Sequence, residues 1–133
     1  MKSALVLFCV ALIGNSCKKS GSVYLIPDGT YAGTFQRQIS NAGQISNVTF
    51  NFSAGNWTGK SQFVKYPALC NGTYKAKGGD SVSFENACAW TAEFDWTLIL
   101  TGDYKIKITG NNIEISREYN NGAVKDIYDL TKQ

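Results

Sequence analysis

The chain has 133 residues, of which 44% are hydrophobic and 13% aromatic, and a formal net charge of +3. It contains no histidine, so the most common general base and metal ligand is missing, and we predict no catalytic residue, metal site or cofactor. Lysines are interleaved with acidic residues rather than clustered, which argues against a nucleic-acid partner.

The first 16 residues predict a secretory signal. They begin with Lys2 and continue with an apolar run that is too short to span a membrane. Residues 13–17 (IGNSC) then resemble the lipobox of bacterial lipoproteins, although Asn15 and Ser16 stand where Ala or Gly is more common. That resemblance implies a lipid on Cys17 and anchoring in a membrane. Lys18 after the cysteine, rather than Asp, resembles the pattern of lipoproteins passed to the outer membrane. We therefore expect a cell-envelope location as an outer-membrane lipoprotein that is periplasmic or surface-exposed. The alternative is an ordinary signal peptide with an incidental cysteine.

Residues 17–27 are interpreted as the lipidated cysteine and a polar tether, and residues 28–133 as one domain. In the domain, residues 29–38 alternate like a strand with Tyr31 and Phe35 on one face. A second strand carries Phe50 and Phe52 inward, and a Gly-Asn turn at residues 55–56 leads into a strand that begins with Trp57.

The two cysteines of the domain, Cys70 and Cys88, predict a disulfide, because Cys9 lies in the signal and Cys17 is the lipid site. Placing Tyr74 opposite Phe84 sets these two cysteines opposite each other, within disulfide reach. A metal site on two thiols without histidine is a weak alternative.

Residues 85–94 have the least regular pattern of the domain, and Trp90, Phe94 and Trp96 suggest a hairpin that turns near residues 91–92. Glu93 and Asp95 flank Phe94, and paired carboxylates beside aromatic rings are typical of glycosidases. An outward, solvated position for both carboxylates is the simpler interpretation, since Phe94 then points to the core. We therefore predict that the protein is not an enzyme, with a glycoside-processing activity as a remote alternative.

The stretch from 96 to 130 predicts three consecutive strands, joined by two-residue turns at Gly110-Asn111 and Asn121-Gly122. This register gives four inner pairs on the last hairpin and one outer pair of opposite charges. The pairs are Tyr119 with Val124, Arg117 with Asp126, Ile115 with Tyr128, Ile113 with Leu130, and outside Glu118 with Lys125.

Arg117 stands in an otherwise apolar inward row, where a guanidinium needs a partner. An ion pair with Asp126, with the guanidinium stacked on Tyr104, is the simpler interpretation. The alternative is that Arg117 and Tyr119 bind the carboxylate of a ligand inside the barrel.

Eight or nine strands with short turns favour an all-β, antiparallel up-and-down barrel, with a β-sandwich as the alternative. The segments Gly29-Thr30-Tyr31 and 128–132 (YDLTK) resemble small bacterial lipocalin-like lipoproteins. Lipocalins proper have Gly-x-Trp in the first strand and a helix after the barrel. Here Tyr31 replaces the tryptophan and no helix is predicted, so an avidin-like barrel fits equally well.

The lipocalin-like resemblance implies a calyx that binds a small apolar or amphipathic ligand. The candidate ligand-binding residues are Tyr31, Phe35, Trp57, Tyr104, Arg117 and Tyr119. The alternative is a filled barrel whose loops at residues 39–46 and 65–71 contact another macromolecule, such as a protein. Four Asn-x-Ser/Thr sequons, at Asn47, Asn51, Asn56 and Asn71, are interpreted as strand and turn chemistry.

Overall fold

The computed structural model describes residues 25–91 and 93–133, which form a closed eight-stranded antiparallel barrel. Each strand pairs with the next along the chain, and the first also pairs with the last. The all-β up-and-down barrel is thus confirmed, rather than the sandwich. The strands are β1 (Gly29–Ile39), β2 (Ile45–Ser53), β3 (Asn56–Ser61), β4 (Asn71–Gly78), β5 (Ser81–Asn86), β6 (Gly102–Thr109), β7 (Asn112–Tyr119) and β8 (Val124–Lys132).

Short 3₁₀ turns at Trp96–Leu98 and Asn120–Gly122 are the helical elements of this part of the chain. Among the residues that the structure describes, no helix has the length and apolar character needed to cross a membrane.

The predicted register of the last three strands is confirmed. On β7 and β8, Arg117 lies opposite Asp126 and Glu118 opposite Lys125, and the three other predicted pairs are also present. On β6 and β7, Ile106 lies opposite Ile115. Inward apolar rows and outward opposite charges therefore agree on one register, which is why the sequence alone was enough to find it.

Three predicted turns differ from the structure. Tyr119 and Val124 are paired as predicted, but the connection between them comprises residues 120–123, with a 3₁₀ turn at Asn120–Gly122, and is not a two-residue turn at Asn121-Gly122. The β2–β3 turn differs by one residue. Ser53 pairs with Asn56, so the turn of the β2–β3 hairpin is Ala54-Gly55 and not Gly55-Asn56. Both turn residues have positive φ, 47° for Ala54 and 80° for Gly55, as a type I′ turn requires. The Asn56 amide donates to the carbonyls of Ser53 and Ala54, at 3.2 and 3.4 Å, which holds the asparagine beside the turn rather than in it.

The predicted hairpin near residues 91–92 is wrong. Ala92 lies outside the described residues, but no strand occurs in 87–91 or 93–101. The rings of Trp90, Phe94 and Trp96 contact one another instead of alternating between two faces, with centroids 5.7 and 6.3 Å apart. The Asp95 carboxylate caps the following 3₁₀ turn by accepting from the Thr97 amide. These local contacts replace a strand pairing.

Aromatic rings occupy the interior of the barrel. Rings from non-adjacent strands meet there, since the Phe50 and Tyr128 centroids are 5.9 Å apart and those of Tyr104 and Tyr128 6.3 Å. Edge-on and tilted contacts of this kind are the favoured geometry of aromatic pairs. The inward rings that are buried are Tyr31, Phe35, Phe50, Phe52, Trp57, Tyr74, Phe84, Tyr104 and Tyr128.

The barrel has two unlike ends. At one, which we call the turn end, strands are joined by tight turns at residues 54–55, 79–80 and 110–111. The chain also enters and leaves there: Ile26 is fully buried, and the hydroxyl of Tyr74 donates to its carbonyl at 3.1 Å. At the other, the loop end, the connections are longer and comprise residues 40–44, 62–70, 87–101 and 120–123.

Candidate functional site

The mouth of the barrel at the loop end is covered by residues of the β5–β6 connection. Ile99 and Leu100 are buried, and Leu98 packs against the core. Ile99 also forms a parallel bridge with Ala68 of the β3–β4 connection. Two long loops thus meet over the mouth, and the apolar side chains beneath them complete the core.

Below this cover lies a buried carboxylate, Asp126 on β8, which is only 2% exposed. Arg37 on β1 forms two parallel bonds to it, with Nε 2.6 Å from Oδ1 and Nη2 2.7 Å from Oδ2. The hydroxyl of Tyr119 donates to Oδ2 at 3.0 Å. A bidentate guanidinium and a phenol together compensate for the removal of this charge from water.

Arg117 on β7 lies between two tyrosine rings. Its guanidinium carbon is 4.3 Å from the centroid of Tyr104 and 4.6 Å from that of Tyr119, in the geometry of cation–π contacts. Its Nη2 is 3.9 Å from Asp126 Oδ2. Nη1 donates to the carbonyl of Thr101 at 2.7 Å, so Arg117 is held mainly by the rings and by the main chain.

The carbonyl oxygen of Thr97 joins these groups to the loop above. It accepts from Arg117 Nη2 at 3.0 Å, from Arg37 Nη2 at 3.2 Å and from the Tyr119 hydroxyl at 3.3 Å. Arg37 Nη1 also donates to Asp95 Oδ2 and to Thr97 Oγ1, both at 2.8 Å. This polar network, formed by Arg37, Asp95, Thr97, Arg117, Tyr119 and Asp126, fastens the loop across the mouth.

The contacts within the network shift the pKa values of three of its members. The hydrogen bond to Asp126 raises the pKa of Arg37. Burial is the main cause that raises the pKa of Tyr119 to about 12, and the negative charge of Asp126 is the second. Hydrogen bonds from Thr97 lower the pKa of Asp95, with Arg37 adding to the effect. All three shifts favour the protonation states that the contacts require at neutral pH, namely a charged Arg37, a neutral Tyr119 and an ionised Asp95.

The structure agrees with the expected stacking of Arg117 on Tyr104 and places Asp126 opposite it. The closest partner of Asp126, however, is Arg37, which the sequence argument did not identify as part of the cluster. Side chains alternate along β1, so Arg37 lies on the same inward face as Tyr31 and Phe35. This alternation could have identified Arg37 as a second inward-facing arginine.

The predicted ligand-binding residues fall into two groups. Tyr104, Arg117 and Tyr119 are brought together: the Tyr104 ring stacks on Arg117, and Arg117 and Tyr119 donate to main-chain carbonyls, with Tyr119 also donating to Asp126. The other three, Tyr31, Phe35 and Trp57, are buried in the ring-filled core. That any of them binds a ligand remains a prediction.

Glu93 and Asp95, the carboxylates of the remote enzymatic alternative, have different surroundings. Glu93 is exposed, whereas Asp95 is bound to Thr97 and Arg37. This geometry gives the glycosidase alternative no support. Within the described residues, no group of three or more side chains is arranged to hold a metal ion.

Apolar side chains are exposed beside the network, on the rim of the loop end. Val64 is 88% exposed and Trp96 54%. The ring of Trp96 stacks on that of Phe94, and the Phe94 ring also contacts Trp90. The ammonium group of Lys65 lies 4.8 Å from the centroid of the Phe94 ring, as in a cation–π contact. Trp90 in turn lines a surface depression of about 290 Å³ with Phe63 and Val64. We call Phe63, Val64, Trp90, Phe94 and Trp96 the rim patch.

The predicted disulfide between Cys70 and Cys88 is present, with Cα atoms 6.3 Å apart. It joins the end of the β3–β4 connection to the start of the β5–β6 connection, which are the two loops that carry the rim patch. The bridge therefore limits how far these loops can separate.

Comparisons with protein-family models, with curated proteins and with solved structures found no match to this chain. Cys17, the predicted lipid site, lies outside the described residues, as does most of the tether. Leu25 and Ile26, which belong to the segment interpreted as tether, pack against the core.

Proposed function

We propose that the protein is a non-catalytic, lipid-anchored protein of the cell envelope that binds a protein partner through its rim patch. The observation that carries this proposal is the exposure of Val64 and Trp96 at the loop end, above a barrel whose interior is occupied by its own rings. Tryptophan and phenylalanine are enriched in protein interfaces, and tryptophan is frequent among the residues that dominate their energy.

The position of the segment that enters the barrel supports the same proposal. The chain enters the barrel at the turn end, through Leu25 and Ile26, so a lipid on Cys17 would attach the protein by that end. The rim patch, at the opposite end, would then face away from the membrane. An anchor and a binding surface at opposite ends leave the surface accessible to another envelope protein.

The calyx hypothesis, a small apolar ligand inside the barrel, receives less support. An eight-stranded barrel has room for its own side chains or for one small ligand. Here the contacts between Phe50, Tyr104 and Tyr128 cross the interior. Packed rings leave the outer surface of the loop end as the better candidate for binding.

The test is site-specific photo-crosslinking in the cells that make the protein. A photoreactive phenylalanine analogue replaces Val64 in the rim patch or, as control, Ile108, which is 37% exposed near the turn end. We expect one discrete protein adduct from position 64 and none from 108. Trp96→Ser should reduce the yield at position 64 at least fivefold, because it removes the exposed ring without touching the crosslinker.

Equal adducts from both positions, or an adduct at 64 that Trp96→Ser does not reduce, would contradict the proposal. Lipid anchoring is tested separately with Cys17→Ser. We expect this variant to leave the membrane fraction and enter the soluble fraction. Retention in the membrane would show that the anchor is not at Cys17.

A further inference from the structure

The outer wall of the barrel is divided into a charged part and an uncharged part. From the second half of β4 to β8, outward positions carry many charges, namely Lys75, Lys77, Glu85, Asp103, Lys105, Lys107, Glu114, Glu118, Lys125 and Asp129. On β1, β2, β3 and the start of β4, the outward positions of the described chain carry one charge, that of Lys60.

We call this uncharged part the neutral face. It consists mainly of hydroxyl and amide side chains in rows across the strands, with Ala32, Ile45 and Lys60 as the exceptions. One row runs Thr30, Asn51, Thr58, Asn71 from β1 to β4. The outward residues are Thr30, Ala32, Thr34, Gln36, Gln38, Ile45, Asn47, Thr49, Asn51, Ser53, Asn56, Thr58, Lys60, Asn71 and Thr73.

The four sequons account for much of this face. Because side chains two apart in a strand share a face, each Asn-x-Ser/Thr places both its amide and its hydroxyl outward. All eight of these side chains are exposed. The repetition of the motif in β2, β3 and β4 therefore forms an array of neutral groups that both donate and accept hydrogen bonds.

The array includes exposed side chains that make no hydrogen bond to the described protein itself. Asn51 donates to the hydroxyl of Thr30 at 3.3 Å, whereas the hydroxyls of Thr49 and Thr58 have no partner within the described chain. These two residues line a shallow groove. A depression of about 270 Å³ includes Thr49, Asn51 and Thr58, and it shares Thr49 and Lys60 with a second depression of about 260 Å³.

We propose that the neutral face binds a neutral polysaccharide along this groove. Sugar hydroxyls donate and accept in the same way as the threonine and asparagine side chains, and neither partner has to remove a charge from water. A nucleic acid or acidic polymer needs several cations, but this face offers Lys60 alone. A protein partner favours aromatic and arginine side chains, and none is outward on these strands.

Binding should be weak at each sugar, because each hydrogen bond to the ligand replaces one to water. A polymer that engages several rows at once gains from multivalency. The test therefore uses polymers as probes: the full-length protein in non-ionic detergent passes over columns that carry dextran, mannan, laminarin or, as the acidic comparison, polygalacturonate. We expect retention on at least one neutral column and not on polygalacturonate.

The key variant is Thr49→Val/Thr58→Val, which removes two hydroxyls and keeps the shape and strand preference of the side chains. It should reduce retention at least threefold. Thr49→Ser/Thr58→Ser keeps the hydroxyls and should retain binding. Thr109→Val, an exposed threonine of β6 on the charged wall, is the matched control and should leave retention unchanged.

Several outcomes would overturn the proposal. One is no retention on any neutral column. Another is retention on polygalacturonate alone that is lost with Lys60→Gln, which would indicate an anion site. A third is an intact mass showing sugars already attached at Asn47, Asn51, Asn56 or Asn71, since the face would then be a modification site. The rim patch plays no part in this experiment, so its result is independent of the proposed function.

Discussion

The two ends of the barrel are closed by different means. At the turn end, tight turns and the apolar side chains of Leu25 and Ile26 complete the core. At the loop end, a buried carboxylate and two arginines fasten a long loop over the mouth, and Arg37 and Asp126 are 89 residues apart in the chain. The tight turns of the turn end thus depend on local sequence, whereas the loop end depends on charges that only the complete fold brings together.

The largest effect should come from the buried carboxylate. Asp126→Ala removes the shared partner of Arg37, Arg117 and Tyr119, and it leaves Arg37, whose side chain is only 11% exposed, with the half-exposed carboxylate of Asp95 as its counter-charge. We expect the free energy of unfolding to fall by about 3 to 5 kcal/mol, measured by urea denaturation. Asp129→Ala, an exposed carboxylate on the same strand, is the control and should change it by less than about 0.5 kcal/mol.

The apolar closure of the turn end is tested by Ile26→Ala. Ile26 is fully buried, so the free energy of unfolding should fall by about 2 to 5 kcal/mol through lost burial and a cavity. Leu25→Ala, at a partly buried neighbour, should cost less in the same assay. Equal losses for the two variants would mean that this segment does not close the core as described.

Removal of the bridge between the two long loops should have an effect of similar size. Cys70→Ala/Cys88→Ala opens a link of sequence separation 18, for which chain entropy predicts a loss of about 3 kcal/mol. A thiol reductant should lower the thermal midpoint of the unmodified protein and leave that of the double variant unchanged. Identical responses would show that the two cysteines are not bonded to each other.

Tyr119→Phe should have a smaller effect on the same network. It removes the bonds to Asp126 and to the carbonyl of Thr97, at a cost of about 1 to 2 kcal/mol. In the folded protein the pKa of Tyr119 is raised to about 12. Its contribution to stability is complete below the unfolded-state pKa of about 10 and is lost as the pH rises towards 12. The variant should therefore lose less stability over this range of alkaline pH.

The smallest effect should come from Asp95, whose side chain is 54% exposed. Hydrogen bonds from Thr97 lower its pKa, so its contribution is complete above the unfolded value and is lost as the pH falls below it. Asp95→Asn should cost less than about 1 kcal/mol at neutral pH and should weaken the acid dependence of stability. A stronger acid dependence in the variant would contradict this sign.

The difference between the ends also explains how much the sequence could predict. Alternation and turn residues were enough for the barrel, the register of β6 to β8 and the disulfide, because each is set by local periodicity and by pairs across one turn. Arg37 was missed because its partner comes from the far end of the chain. The segment around Phe94 was predicted wrongly because three aromatic rings suggested strand alternation, although they pack on one another.

An even number of strands in an up-and-down barrel returns the chain to the end at which it started. Gln133, the last residue of this sequence, donates from its amide to the carbonyl of Thr30 at 2.9 Å, beside the start of β1. A fluorescent protein or affinity tag fused after Gln133 would therefore emerge next to the entry segment, leaving the rim patch unobstructed. The same proximity would allow the old ends to be joined and new ones to be opened in residues 40–44, giving a circular permutant with the same barrel.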